Sequence, residues 1–230
     1  MKAFYKISLI LNLLFIAVFV YLAINGKQLI RNFFFKYVIE VRHDQKVSMF
    51  KATPVSNGAI VFLGNSITEG GNWSELFPDK HILNRGIGGD ISGGVLKRLD
   101  EIVRHQPSKV FICIGTNDIA KGISQEVIIQ NYRTILQTLR TQSPETKIYV
   151  QSCFPVGKDV FTGHNNEKVR LLNTEINKLC SELNVSYIDL YPSFTDETGY
   201  LNPEYTNDNL HLMGKGYLVW KRLIESLVNE

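Results

Sequence analysis

Five short apolar runs, at residues 59–63, 81–84, 109–114, 147–152 and 186–190, alternate with stretches patterned as helices around 93–105, 125–141, 167–183 and 214–229. This alternation constrains the fold more than any other feature of the chain. Strands that succeed one another in the same direction need a long crossover, usually a helix. A sheet built that way is parallel and covered on both faces, so its strands read as continuous apolar runs. The segment Ala59-Ile60-Val61-Phe62-Leu63 is of that kind. Within 125–141, Val127, Ile128, Tyr132, Ile135, Leu136 and Leu139 recur at three-to-four spacing and predict one buried stripe. About 170 residues suffice for one such domain. The turn-rich stretch 51–57, with Pro54, Ser56 and Asn57, opens it.

The amino terminus poses a different solvent problem. Residues 7–24 read ISLILNLLFIAVFVYLAI, with no charge and with Ser8 and Asn12 the only clearly polar members. Eighteen residues of helix rise about 27 Å, close to the hydrocarbon thickness of a bilayer. A soluble helix of this length would normally show a polar side. A cleaved signal peptide would want a shorter apolar core and a better exit than Leu22-Ala23-Ile24-Asn25-Gly26. The favoured expectation is therefore a retained membrane anchor, with a cleaved signal as the alternative.

The chain then divides into an anchor or signal segment at 1–26, a juxtamembrane stalk or linker at 27–57, and the main domain at 58–230. Lys2 and Lys6 precede the span and Lys27, Arg31, Lys36 and Arg42 come after it, so flanking charge does not decide orientation. The short leading segment favours an amino terminus inside and a domain outside the cytoplasm, in the cell envelope. Phe33-Phe34-Phe35-Lys36-Tyr37 reads as an interfacial aromatic belt, the start of a stalk helix, or a packing surface.

A net charge of +3 and the lack of a stripe of Lys/Arg interleaved with aromatic residues argue against a nucleic-acid partner. Cys113, Cys153 and Cys180 have no metal-ligand spacing and are expected as buried small hydrophobes. His43, His81, His105 and His164 are expected as ordinary surface or loop histidines.

Four short segments carry chemistry. Gly64-Asn65-Ser66-Ile67-Thr68 comes after the first apolar run and puts Ser66 at a strand's carboxyl end, where open α/β folds bind ligands. Taken alone such a serine is more often a helix cap, and the sequence is not the Gly-x-Ser-x-Gly elbow. Asn84-Arg85-Gly86-Ile87-Gly88-Gly89-Asp90 comes after the second run; its glycines can expose backbone N–H groups but lack the dinucleotide spacing. Gly115-Thr116-Asn117-Asp118 ends the third run, where Asn117 either points its amide at the same crevice or caps the next element of the chain. In Asp208-Asn209-Leu210-His211, two intervening residues let a carboxylate and an imidazole reach one site, as a base and its orienting acid do. A metal reading of that pair lacks further ligands.

In this order the four segments resemble those of the SGNH hydrolases, the GDSL esterase/lipase family, from about residue 59 to 217. Phe-Leu-Gly-Asn-Ser-Ile-Thr-Glu-Gly with Gly-Ile-Gly-Gly-Asp downstream is similar to the branch of platelet-activating-factor acetylhydrolase catalytic subunits and bacterial carbohydrate acetylesterases. The resemblance implies a flavodoxin-like, three-layer α/β/α fold with a five-stranded parallel sheet. It implies Ser66 as nucleophile, His211 as base and Asp208 as its partner. The oxyanion hole would comprise the N–H groups of Ser66 and Gly89 and the side chain of Asn117. Neither metal nor organic cofactor is implied. Asn65 stands where the family has aspartate, which leaves the tuning of neighbouring pKa values open.

The expected activity is hydrolysis of a small acyl ester, acetyl first, carried on a sugar or glycan. Lysophospholipase or thioesterase activity and acyl transfer to a glycan are the enzymatic alternatives. A non-catalytic binding module would not require Ser66, Gly89, Asn117, Asp208 and His211 together. Oligomeric state is not legible in the chain.

Overall fold

A computed structural model describes the backbone of residues 2–160 and 163–230. The side chains of residues 2, 3, 9, 27, 28, 31–36 and 38 lie outside the described residues, and with them most of the 33–37 aromatic segment. The chain forms two compact units, Met1–Gln45 and Lys46–Glu230.

The first unit is helical: α1 (Lys2–Phe34), a π-helical stretch (Phe35–Glu40) and the start of α2 (Val41–Ala52). Phe4–Gly26 is long and apolar enough to cross a membrane, with mean hydropathy 2.7 and none of its apolar window buried. A membrane anchor and a signal sequence both meet that description.

The second unit runs β1 (Ile60–Gly64), α3 (Ser66–Glu69), α4 (Trp73–Leu76), β2 (Ile82–Gly86), α5 (Ser92–Lys97), α6 (Leu99–Val103), β3 (Lys109–Cys113), α7 (Thr116–Ala120) and α8 (Gln125–Gln142). It continues with β4 (Lys147–Gln151), α9 (Asn166–Glu182), β5 (Ser186–Ile188), α10 (Tyr191–Phe194) and α11 (Gly214–Asn229). All sheet pairings are parallel, in the order β2-β1-β3-β4-β5. This is the flavodoxin-like order, in which the chain turns back across β1.

Alternate residues of β1 explain the two covered faces. Val61 and Leu63 join Val110, Ile112 and Val150 beneath Ile128, Tyr132, Ile135, Leu136 and Leu139 of α8 and the apolar side of α9. Ile60 and Phe62 face the other way, with Trp73, Phe111, Tyr149 and, from α11, Val219, Trp220 and Ile224. There Phe62 stacks on Trp73 at 4.0 Å and on Phe111 at 5.1 Å, and Phe111 on Tyr149 at 4.8 Å. Each such side chain contributes about 1.5–3 kcal/mol through removal from water.

Three details depart from the sequence reading. The helix expected over 93–105 is two short helices, broken at Arg98 (φ −121°, ψ 16°). Val127 is 50% exposed: it sits on the first turn of α8, beyond the edge of the buried stripe. His105 is a fully buried member of a charged cluster, not a surface residue. Its Nδ1 accepts from the Ser56 amide at 2.9 Å, so Nε2 carries the proton and donates to Glu101 at 3.0 Å. Arg85 pairs with the same Glu101, and its guanidinium lies over the Phe50 ring. Arg104 binds the carbonyls of Phe50 and Thr53, so the segment leading into β1 is tied down along its length. The three cysteines are buried and free, as expected.

Candidate active site

The sheet register carries the site. Gly64 lies opposite Gly86 on one side and Cys113 on the other, so β1, β2 and β3 end level. The residues just beyond each strand (Asn65 and Ser66, Ile87 to Gly89, Ile114 to Asn117) therefore meet at one edge. No side chain fits at Gly64 or Gly86. A Cβ on the first would lie 2.4 Å from the Cys113 carbonyl oxygen, and one on the second 2.1 Å from the Glu69 nitrogen.

Ser66 opens α3. Asn65 is buried and caps this helix, its Oδ1 accepting from the Ile67 amide at 3.0 Å, which is work an aspartate would also do. The Ser66 N–H is a first-turn donor with no partner inside the helix. Glu69, at the end of α3, accepts from the Gly88 amide at 2.8 Å and so holds the glycine loop after β2. Gly89 takes φ +75°, a backbone state that glycine adopts without cost. Among the described residues the Gly89 amide donates to no protein acceptor.

Asn117, in the first turn of α7, donates from Nδ2 to the Asp90 carbonyl at 2.9 Å, leaving its second amide hydrogen for a ligand. Beside it, burial pushes the Asp118 carboxyl up, with hydrogen bonds from Ser92 opposing the shift.

His211 and Asp208 arrive from the far end of the domain, before α11. Asn209, at φ +66°, lets the chain double back, and Oδ1 of Asp208 accepts from the amides of Leu210 (2.9 Å) and His211 (2.7 Å). The Gly157 amide donates to the Asn209 carbonyl at 2.7 Å, bracing the turn. Asn166 closes the base of the 156–166 loop through two 2.8 Å bonds to Val156; Phe161 and Thr162 within it lie outside the described residues.

The outcome is a linear relay. Ser66 Oγ lies 2.9 Å from His211 Nε2, and His211 Nδ1 lies 2.6 Å from Asp208 Oδ2. Burial would raise the Asp208 carboxyl, but hydrogen bonds from the His211 ring and the two amides outweigh it and hold it at about 2. The carboxylate is therefore charged at any working pH, fixing the proton on Nδ1 and leaving Nε2 free to accept from the serine. Asp208 and His211 remain 47% and 44% exposed, so the site is open to solvent.

All five predicted site residues thus come to one edge of the sheet, with Ser66, His211 and Asp208 in direct sequence. Sequence reasoning left out Arg98 and Glu69. Arg98 had a signal: a cation among Val95, Leu96, Leu99, Ile102 and Val103, on what reads as an apolar face. Among the described residues no group of three or more His, Cys, Asp or Glu side chains could hold a metal ion.

A parallel sheet in this order, with Ser66 at the end of its first strand in contact with the His211–Asp208 pair, has the arrangement of an SGNH-type esterase. The chain belongs to the GDSL-like lipase/acylhydrolase family, whose model matches residues 62–219, and it is an ester hydrolase of that family. It is 30% identical over 179 residues to the bovine (Bos taurus) platelet-activating factor acetylhydrolase IB subunit alpha1, covering 74% of each chain. To the human (Homo sapiens) alpha2 subunit it is 32% identical over 166 residues, covering 69% of this chain and 70% of the relative. A solved structure from Streptococcus pneumoniae, described as a candidate platelet activating factor, superposes with a TM-score of 0.76 at 31% identity, covering 88% of this chain and 98% of that one.

Proposed function

We propose that the protein is a serine esterase that removes short acyl groups, acetyl first, from carbohydrate hydroxyls through an acyl-enzyme on Ser66. The observation that carries this reading is the unbroken relay from Ser66 Oγ through the His211 ring to Asp208, at 2.9 and 2.6 Å. Ser66 Oγ attacks the ester carbonyl as its proton passes to His211 Nε2. The oxyanion is received by the N–H groups of Ser66 and Gly89 and by Nδ2 of Asn117. As the tetrahedral intermediate collapses, the C–O bond to the alcohol breaks and His211 returns the proton to the departing oxygen. A water, deprotonated by the same imidazole, then releases the acid and restores Ser66.

The short acyl preference draws on the named activity of the acetylhydrolase relatives and on the brief connections around the site. Only 23 positions separate Ser66 from Gly89 and 28 separate Gly89 from Asn117, which leaves little chain for a lid. The solvent-open Asp208–His211 edge suits a polar, bulky alcohol such as a sugar. The apolar helix Phe4–Gly26 favours a second reading, a lipid ester drawn from an adjoining membrane. In either case we take that helix as the element that holds the enzyme at a membrane.

The test is turnover by the purified full-length protein of acetylated oligosaccharide, p-nitrophenyl acetate, p-nitrophenyl octanoate and lysophospholipid, with Ser66→Ala as control. Acetyl esters should lead in kcat/KM, and Ser66→Ala should be inactive with Tm almost unchanged. Faster turnover of octanoate and lysophospholipid would replace the carbohydrate reading by the lipid one. A Ser66→Ala protein that kept most of its turnover would remove the nucleophile.

A further inference from the structure

Arg98 is a buried cation, 1% exposed, at the break between α5 and α6. Burying a charge is tolerated only where it is paired and hydrogen-bonded. Asp90, equally buried, takes Nε at 2.9 Å and Nη2 at 2.8 Å on a single carboxylate oxygen, Oδ2. Nη2 also reaches the carbonyls of Gly64 at 3.3 Å and of Arg85 at 3.0 Å. Those carbonyls close β1 and all but close β2. Asp90 meanwhile offers its own carbonyl to Nδ2 of Asn117 and its Oδ1 to the Ile91 amide.

One guanidinium therefore joins the three segments that supply the proposed oxyanion donors. Gly64 precedes Ser66 by two residues, Asp90 adjoins Gly89, and Asn117 is bonded to Asp90 directly. We infer that Arg98 is a positioning residue that sets the mutual spacing of the donors on Ser66, Gly89 and Asn117; this rests on the reading of those groups as the oxyanion hole. Nη2 alone reaches all three acceptors, and among the described residues Nη1 has no hydrogen-bond partner; the rigid guanidinium plane, with Nε on the same carboxylate oxygen, fixes the direction of Nη2. A lysine ammonium carries three donors for the same three acceptors, but as a point charge on a flexible stem with no second nitrogen to orient it, it holds them less rigidly. The effect belongs to turnover, because the donors meet the tetrahedral oxyanion better than the planar ester. A displacement of about 1 Å costs about 10²-fold in rate.

The experiment uses the full-length protein and p-nitrophenyl acetate, with kcat and KM normalised to folded protein and Tm recorded. Arg98→Lys should lower kcat about 10–100-fold with KM within about threefold. In an Asn117→Ala background the same change should cost much less, because one of the donors it positions is already gone. Asp90→Asn provides a second variant should Arg98→Lys not fold: it keeps the main-chain carbonyl for Asn117 but loses the charge partner, and it should show the same split. A lower Tm with kcat unchanged, or costs that simply add to those of Asn117→Ala, would reduce Arg98 to a structural ion pair and overturn the inference. Ser66→Ala in the same assay isolates the underlying reading: turnover that survives it refutes the nucleophile, whatever Arg98 does.

Discussion

Replacing Asp208 by asparagine tests the relay most sharply, because it changes one atom's chemistry and almost no volume. The amide oxygen can keep the bonds from the Leu210 and His211 amides, leaving an NH2 facing Nδ1, where the carboxylate sits at 2.6 Å. Nδ1 must then accept, which moves the ring proton to Nε2 and removes the acceptor for Ser66. The charge lost with it stabilises the imidazolium formed in the transition state. At 2.6 Å that attraction is about 1.6 kcal/mol at the dielectric of water and about 6 kcal/mol at an effective value near 20. With Asp208 47% exposed, the effect lies between these limits, or about 10²–10⁴-fold in kcat at 1.36 kcal/mol per decade. KM should hold, since the uncharged imidazole of the ground state does not need the carboxylate.

Stability at neutral pH should change little. A carboxyl held at about 2 against 3.8 when unfolded contributes stability above 3.8 and loses it as pH falls toward 2. Solvent screening limits this to about 1 kcal/mol or less. Steady-state hydrolysis of p-nitrophenyl acetate from pH 6 to 9, with folding checked by circular dichroism, gives the result. A kcat within tenfold of the wild-type value would refute the relay as the source of the serine's reactivity.

Three further outcomes are expected. Asn117→Ala should lower kcat by roughly 10²–10³-fold, the cost of one oxyanion donor, and an effect on KM alone would make Asn117 a ground-state contact. Gly86→Ala should lower stability by about 3 kcal/mol or more in urea unfolding, because its Cβ would meet the backbone of Glu69 and Thr68, which cannot yield as a side chain can. Acid should act on the cluster at the entrance to β1. Burial lowers His105, while burial would raise Glu101 but bonds from His105 and Arg85 hold it down. Both groups therefore stabilise above their unfolded values of 6.5 and 4.5 and lose this as pH falls below them, so His105→Gln should flatten the upper part of the Tm decline. An unchanged decline would place the acid-sensitive group elsewhere.

Much of the layout was legible because it rests on local patterns. The apolar runs marked all five strands, and the level ends of β1, β2 and β3 brought the small-residue motifs after them to one crevice. The features that were not legible depend on partners distant in sequence. Val127 is the exception, legible in retrospect: no stripe member lies three or four positions on, so it stands about 100° round α8 from Ile128 and is half exposed. His105 looks like any loop histidine until Ser56 and Glu101 are seen on its two nitrogens. The 93–105 stretch has a helical pattern, but Arg98 turns out of it toward Asp90, and the backbone breaks there.

The relay also has a history in time. Ser66 and His211 are 145 positions apart, and α11, whose Leu227 and Val228 carbonyls receive the Lys109 ammonium, is made later still. At about 5–20 residues per second, roughly 7–29 s pass between synthesis of the serine and of its base. Through that interval β1 and its aromatic face lack the helix that covers them, and the hydroxyl has nothing to take its proton. An apolar face is thus presented before the proposed base exists. On this reading, ester cleavage waits until the last structural layer closes.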